Sequence, residues 1–359
     1  MKRVLLLWTA PTSPNLGVRA LGEGSAALVR KAAPDGEILS QNFGHGEAPV
    51  NIGVGRSLAR EFVLNSRGLK SWIKEFDLVV DTRAGDSFAD IYGSSRLRQI
   101  CQMAEFVKAC GVPLALGPQT IGPFNTRVGK LIGSASLKRA SVVMTRDTTS
   151  ARAAEQLGRA PDVVATDVVF AMEQPDPDGP RDVLLNVSGL LWTSDRHGPA
   201  QQYKDTIRGL VRGLQKRGRT VSLLSHVLDS ANFDNDEPTA RELQAEFGLE
   251  HLVPQDLTHL RSFVKGAELV IGSRMHACLN ALSVGTPAIP LAYSRKFRPL
   301  LADLGWEHVI DLGESRRAGD DVIGIIDSGA DLTPQLVNVS RRAEELLDGA
   351  VGALRDLLA

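Results

Sequence analysis

The sequence predicts an α/β protein of two domains, each a parallel sheet flanked by helices. Three observations carry this expectation. Short apolar runs of buried-strand type alternate with amphipathic stretches of helical period along nearly the whole chain. The alternation breaks once, at Gln174-Pro175-Asp176-Pro177-Asp178-Gly179-Pro180, which has linker composition, and then restarts with a new strand. A length of 359 residues, 43% hydrophobic and 23% charged, fills two ordinary cores with no disordered tail.

Taken in order, the strand patterns of the first half are Arg3–Trp8, Leu78–Asp81, Pro113–Leu116, Val142–Thr145 and Val163–Ala165. Helical patterns cover Ala20–Lys31, Arg56–Glu75, Ser95–Cys110, Arg127–Lys138 and Thr148–Gln156. After the break, strands are expected at Val183–Val187, Val221–Leu224, Leu269–Ile271, Ala288–Leu291 and Val309–Asp311, with a helix at Tyr203–Lys216. Val339, Ala343, Leu346, Leu347, Ala350, Leu354 and Leu357 recur at helical spacing. They mark a last amphipathic helix that packs on a domain face or joins the two. The expected divisions are residues 1–174, residues 181–333 and the helix 334–359, with the proline-rich stretch as a restricted hinge.

Bulk numbers exclude several classes. Lysine and arginine total 41 against 42 aspartates and glutamates, a net charge of -1, and no basic run stands out, which argues against nucleic acid. Cys101, Cys110 and Cys278 lack metal-ligand spacing and read as reduced thiols. Met1-Lys2-Arg3 before Val4-Leu5-Leu6-Leu7-Trp8 imitates a secretory signal. The run is too short, however, and Pro11 and Pro14 follow, so a first strand and a cytoplasmic location are expected. No apolar run approaches the roughly 20 residues that cross a bilayer. Dinucleotide, Walker, nucleophile-elbow and metalloprotease motifs are missing.

The most informative stretch is Ile271-Gly272-Ser273-Arg274-Met275-His276, a strand delivering a turn into a helix. Met275, Cys278, Leu279 and Leu282 form the apolar stripe of that helix, which Gly285 and Pro287 end. Ser273 is placed to cap it. Free N–H groups at a helix start attract anions. Arg274 adds a guanidinium suited to carboxylate or phosphate, and His276 a group suited to proton transfer near neutrality.

Other loops follow strand ends, where open α/β sheets bind ligands. Asn15 and Gly17, with Arg19 at a helix entrance, suit positive φ and a close backbone approach. Arg83 and Asp86 either face substrate or form a surface ion pair. Gln119 sits in a loop shaped by Pro118, Gly122 and Pro123, and Arg146 ends a strand whose neighbour Asp147 suits a helix cap. His226 precedes Asp229, Asp234, Asp236 and Glu237, read as solvated carboxylates rather than metal ligands. Tyr293-Ser294-Arg295-Lys296 follows the strand Ala288–Leu291, and Arg295 and Lys296 would strengthen a positive patch near Arg274.

These pieces resemble the polysaccharide pyruvyl transferase family. The resemblance rests on Asn15-Leu16-Gly17, Gln119-Thr120-Ile121-Gly122-Pro123, Arg146-Asp147-Thr148-Thr149-Ser150 and Asp167 with Phe170. Its most specific part is Gly272-Ser273-Arg274-Met275-His276-Ala277, continuing through Gly285-Thr286-Pro287 to Tyr293 and Lys296, and it spans about residues 3–305. The chain departs from the family at Val18-Arg19, where an acidic residue is usual. It departs again at Arg83-Ala84-Gly85-Asp86, where a glycine-rich turn is usual.

The resemblance implies a GT-B-like fold, two Rossmann-like domains with parallel sheets facing across a cleft, the acceptor on the N-terminal side. It implies a pyruvyl transferase that moves the pyruvyl or enolpyruvyl group of phosphoenolpyruvate to sugar hydroxyls of a glycan or glycan precursor, releasing phosphate. His276 and Arg274 would be catalytic, and Asn15, Gly17, Arg19, Arg83, Asp86, Gln119, Arg146, Ser273, Tyr293 and Lys296 would bind substrate. Phosphoenolpyruvate is then a co-substrate, and no cofactor or metal is expected. Peripheral contact with a lipid-linked glycan and a homo-oligomer are compatible with this. Two alternatives stay open: a GT-B nucleotide-sugar glycosyltransferase, favoured by an acidic residue holding a ribose, and a non-catalytic ligand-binding homologue.

Overall fold

The computed structural model describes residues 1–44, 46–230 and 234–359. The chain forms two compact units. The first comprises Met1–Thr12, Leu21–Met172 and Ala343–Ala359; the second comprises Ser13–Ala20 and Glu173–Arg342.

The first unit holds β1 (Arg3–Leu7), β2 (Glu37–Gln41), β3 (Leu78–Asp81), β4 (Leu114–Gln119), β5 (Val142–Thr145) and β6 (Val163–Val164). They form one six-stranded sheet in the order β2-β1-β3-β4-β5-β6, every pair parallel. The second unit holds β7 (Arg181–Asn186), β8 (Val221–Leu224), β9 (Glu250–Leu252), β10 (Ala267–Gly272), β11 (Ala288–Ala292) and β12 (Ile310–Asp311). Their order is β12-β11-β10-β7-β8-β9, again parallel throughout. Helices connect the strands, as parallel pairing requires. Among the described residues no helix is long and apolar enough to cross a membrane.

The central strands read directly as apolar runs because both faces are covered; β3 and β4 are buried along their whole length. The strands missed by periodicity, β2 and β9, are sheet edges only partly buried, so no apolar run marks them. β4 runs past the expected Leu116 to Gln119 through a register irregularity that accommodates Pro118. The helix expected over Arg56–Glu75 is two helices, Gly55–Leu64 and Leu69–Ile73. Asn65 and Gly68 turn left-handed between them, at φ 45° and 81°. The buried Glu61 carboxylate accepts from Ser66, Arg67 and Leu69 and fixes that break.

The boundaries differ from the reading by periodicity in three places. Ser13–Ala20 groups with the second unit although it lies within the first 174 residues. The last helix, Thr333–Leu358, begins in the second unit and ends in the first, where Leu347, Ala350, Val351 and Leu354 pack with Val4, Leu6, Val80 and Ala115. The proline-rich stretch is docked rather than free. Gln174 Nε2 donates to Ser283 O at 2.7 Å, Asp178 N to Ser262 O at 3.1 Å, and the buried Arg261 reaches Glu173 O at 3.2 Å.

Candidate functional site

In the second unit the strand C-termini are tied together by Asn186, the last residue of β7. Its Nδ2 donates to Leu224 O (3.0 Å), its carbonyl accepts from Ser273 N (3.1 Å), and its Oδ1 accepts from Arg274 N (2.9 Å). The buried amide thus locks β7, β8 and the turn after β10 by hydrogen bonds only, as a buried polar group must. Ser273 does not cap the helix Met275–Ser283. The extended Arg274 is its N-cap, and the Ser273 hydroxyl instead shares a 2.7 Å hydrogen bond with the Tyr203 phenol. That phenol also accepts from Ser188 N, and burial pushes its pKa up.

Arg274 is nearly buried, and its guanidinium is committed within the same unit. Nη2 lies 2.6 Å from Asp236 Oδ1 and 2.6 Å from Asp234 Oδ1, while Nε donates to Asp236 at 3.1 Å. Burial opposes its charge, but Asp236 and Asp234 outweigh that and hold it protonated more firmly than usual. The expected open guanidinium is therefore a strut between carboxylates. Asp236, far from solvated, is fully buried and also accepts from Gly189 N, His226 N and Val227 N. The sequence carried one signal for it: Pro238 just after Asp236-Glu237 marks the start of the helix Glu237–Phe247.

His276 is half-buried in the first turn of its helix. The segment Ser13–Ala20 lies against it. A bridge pairs Asn15 with Val227, Leu16 N donates to His226 O at 3.1 Å, and Leu228 N donates to Pro14 O at 2.9 Å. Asn15 Oδ1 accepts from Gly17 N at 2.9 Å. Gly17 does not use the positive φ expected of it, because it is already in the helix Leu16–Ala32. Glycine leaves room for the imidazole: a Cβ there would stand 2.9 Å from His276 Nδ1 and 3.1 Å from Asn15 Oδ1. Arg19 points back to Ser13 O at 2.6 Å.

His226 is buried next to this arrangement, and neither ring nitrogen makes a hydrogen bond. Burial first, then the charges of His276 and Arg274, hold its pKa well below the ordinary histidine value. The unfolded chain therefore takes up this proton first as pH falls through about 6.5. The His226 contribution to stability is fully present above that pH and is lost on acidification, at no more than about 1.4 kcal/mol per pH unit. His226→Gln is expected to flatten the decline of urea-unfolding free energy between about pH 7 and pH 5. Equal slopes for both proteins would rule the contribution out.

Beyond Arg274, the Tyr293 ring packs on His197 with centroids 4.9 Å apart, and burial raises its pKa. Partial burial, then the charges of Lys296 and Arg196, lower that of His197. His197 and Tyr203 also line a cavity of about 350 Å³ with Gln202, Gly313, Ser315 and Arg316. Periodicity missed Asn186, Tyr203, His197 and the structural role of Asp236, since none belongs to a motif.

The first unit places its expected site residues differently. Arg83 is fully buried, at φ 50°, with Nε 3.2 Å from Asp81, Nη2 2.8 Å from Ser136 Oγ and its guanidinium 4.6 Å from the Phe88 ring centroid. Both readings made from sequence, substrate contact and surface ion pair, give way to a core strut. Asp86 is partly exposed and accepts from the Tyr92 phenol at 2.9 Å. Asp147 caps its helix as expected, accepting from Ser150 N. Gln119 and Arg146 lie at neighbouring strand ends, with Arg146 N donating to Gln119 O at 3.1 Å and Arg146 Nη1 3.2 Å from Asp167. Buried polar atoms without hydrogen bonds gather here: both amide ends of Gln119, the hydroxyls of Thr120, Thr145 and Thr166, and Arg146 Nε.

Comparison with known proteins gives the arrangement a family. The chain is 21% identical over 300 residues to the amylovoran biosynthesis protein AmsJ of Erwinia amylovora, covering 76% of this chain and 70% of that protein. Among solved structures, MnaA of S. aureus, determined with UDP, superposes with a TM-score of 0.59 at 14% identity, covering 98% and 94% of the two chains. The UDP-GlcNAc 2-epimerase of Methanocaldococcus jannaschii gives 0.57 at 12% identity, with coverage of 90% and 92%. These likenesses establish a GT-B fold. The family model for polysaccharide pyruvyl transferase matches residues 15–295, so the chain belongs to that family and is a transferase.

Proposed function

We propose that this transferase moves the pyruvyl group of phosphoenolpyruvate onto saccharide hydroxyls and releases phosphate. The observation that carries the reading is the convergence of His276, at a helix start, with the Asn15–Gly17 turn, in a chain of this family. The donor brings a carboxylate and a phosphate. Lys296, Arg196 and the first turn of the helix Met275–Ser283 supply positive charge and backbone donors for such a group. Protonation of the methylene carbon leaves a cationic centre at the central carbon, which one saccharide hydroxyl attacks. A second hydroxyl then displaces phosphate and closes a ketal. His276 is the proton-transfer group of choice, worth about 10²–10⁴-fold in rate. Arg274 acts by holding the turn that presents His276, through Asp236 and Asn186.

A second reading, glycosyl transfer from a nucleotide sugar, draws support from the fold: MnaA and HepE of Anabaena are both known in complexes with UDP. One assay separates them. Phosphate released from phosphoenolpyruvate is measured over a panel of saccharides, against nucleotide release from nucleotide sugars over the same panel. Acceptor-dependent phosphate release, undiminished by a chelator, is the expected result. Nucleotide release alone would replace the first reading with the second.

A further inference from the structure

The helices Gly55–Leu64, Ser94–Ala109 and Arg127–Arg139 of the first unit border an apolar groove of about 610 Å³ that has no part in the site above. Phe62, Val63, Phe106 and Ile132 line it. The bordering helices carry side chains that a protein in water normally buries: Val63 is 76% and Leu131 72% exposed, and Phe62, Leu64 and Val128 are exposed as well.

Charge is segregated on the same elements. Residues 54–74, 94–109 and 127–139 carry twelve lysines and arginines against two glutamates, in a chain whose net charge is -1. Of the two acids, Glu61 is buried in its backbone cradle and Glu105 is 3.4 Å from Arg139. The basic run that the linear sequence lacks is thus assembled from four helices separated in the chain. Basic and apolar residues share faces. Arg127, Leu131 and Ala135 follow one another at four-residue spacing, as do Arg56, Arg60 and Leu64, and Lys70 Nζ stands 5.3 Å from the Phe62 ring centroid.

We propose that this face rests on an anionic lipid bilayer. The apolar side chains would enter the headgroup boundary while the surrounding cations meet lipid phosphates, the pairing by which interfacial helices bind membranes. A nucleic acid would answer the charge and leave Phe62, Val63 and Leu131 in water. A second copy of the face would bury the apolar residues and bring cation against cation.

The test is flotation of the full chain with vesicles of about 30 mol% phosphatidylglycerol in phosphatidylcholine, against phosphatidylcholine alone, at about 0.1 M salt. The protein is expected to float with the anionic vesicles and to be released by high salt. Phe62→Ser with Leu131→Ser, and separately Arg60→Glu with Arg127→Glu, should each weaken binding about tenfold or more. All four positions are exposed, so circular dichroism should match wild type. No binding to anionic vesicles, or binding indifferent to both double variants, overturns the proposal. So does self-association abolished by the apolar variant, or displacement from vesicles by RNA at low concentration.

Discussion

A His276→Asn variant is expected to fold like the wild type and to lose about 10²–10⁴-fold in turnover, the range a positioned acid or base contributes. His276 is half-buried at a helix start and lies outside the apolar cluster of its unit, so the substitution removes the imidazole with little cost to the fold. Its position depends on Gly17, whose missing Cβ leaves room for the ring. Gly17→Ala therefore provides an independent arm. The helix Leu16–Ala32 accepts alanine, yet the added methyl must push the imidazole aside by several tenths of an ångström. Displacements of this order cost rate steeply when reacting groups need near-attack geometry. Turnover from phosphoenolpyruvate should fall in both variants while thermal unfolding stays unchanged. Near-wild-type turnover in a folded His276→Asn protein would remove the residue from the chemistry.

The second large effect is on stability. Arg274→Met is expected to destabilise the fold by about 3–5 kcal/mol, because Asp236 would be left as a buried carboxylate with no cation. The N–H groups of Gly189, His226 and Val227 remain, but hydrogen-bond donors alone do not neutralise a fully buried charge. Arg274→Lys should fall between the two. An ammonium keeps the charge but lacks the planar fork by which one guanidinium reaches Asp236 and Asp234 together. Urea unfolding of the full chain measures both. A loss under about 1 kcal/mol for Arg274→Met would mean that Asp236 is served by another route.

Much of the architecture is local in origin and was legible. A central parallel strand is apolar on both faces, so Leu78–Asp81, Val142–Thr145 and Val221–Leu224 are found at the residues their composition marks. The helix after β10 is marked by its own stripe, and its stop by Gly285, at φ 82°. The edge strands β2 and β9 and the short helix Phe297–Asp303 escape because they are short and carry no strict period. Asp147 caps its helix through an atom three residues away, within reach of a linear reading, whereas Thr126, which caps Arg127–Arg139 in the same way, escapes that reading.

By itself, the sequence determined the α/β class, most of the succession of strands and helices along the chain, and the short motifs that tie it to its family. Tertiary structure alone decided what the charged groups of those motifs do. Arg274 and Asp236 are 38 residues apart and Arg83 and Ser136 are 53 apart, so their pairing depends on which strand ends lie side by side. The same holds for the basic face, whose cations come from four helices, and for Ser13–Ala20, which joins the second unit through the backbone of the loop after β8. Periodicity reports which side of an element is buried. It cannot report what is waiting on the other side, and for a guanidinium that partner decides between a strut and a ligand hand.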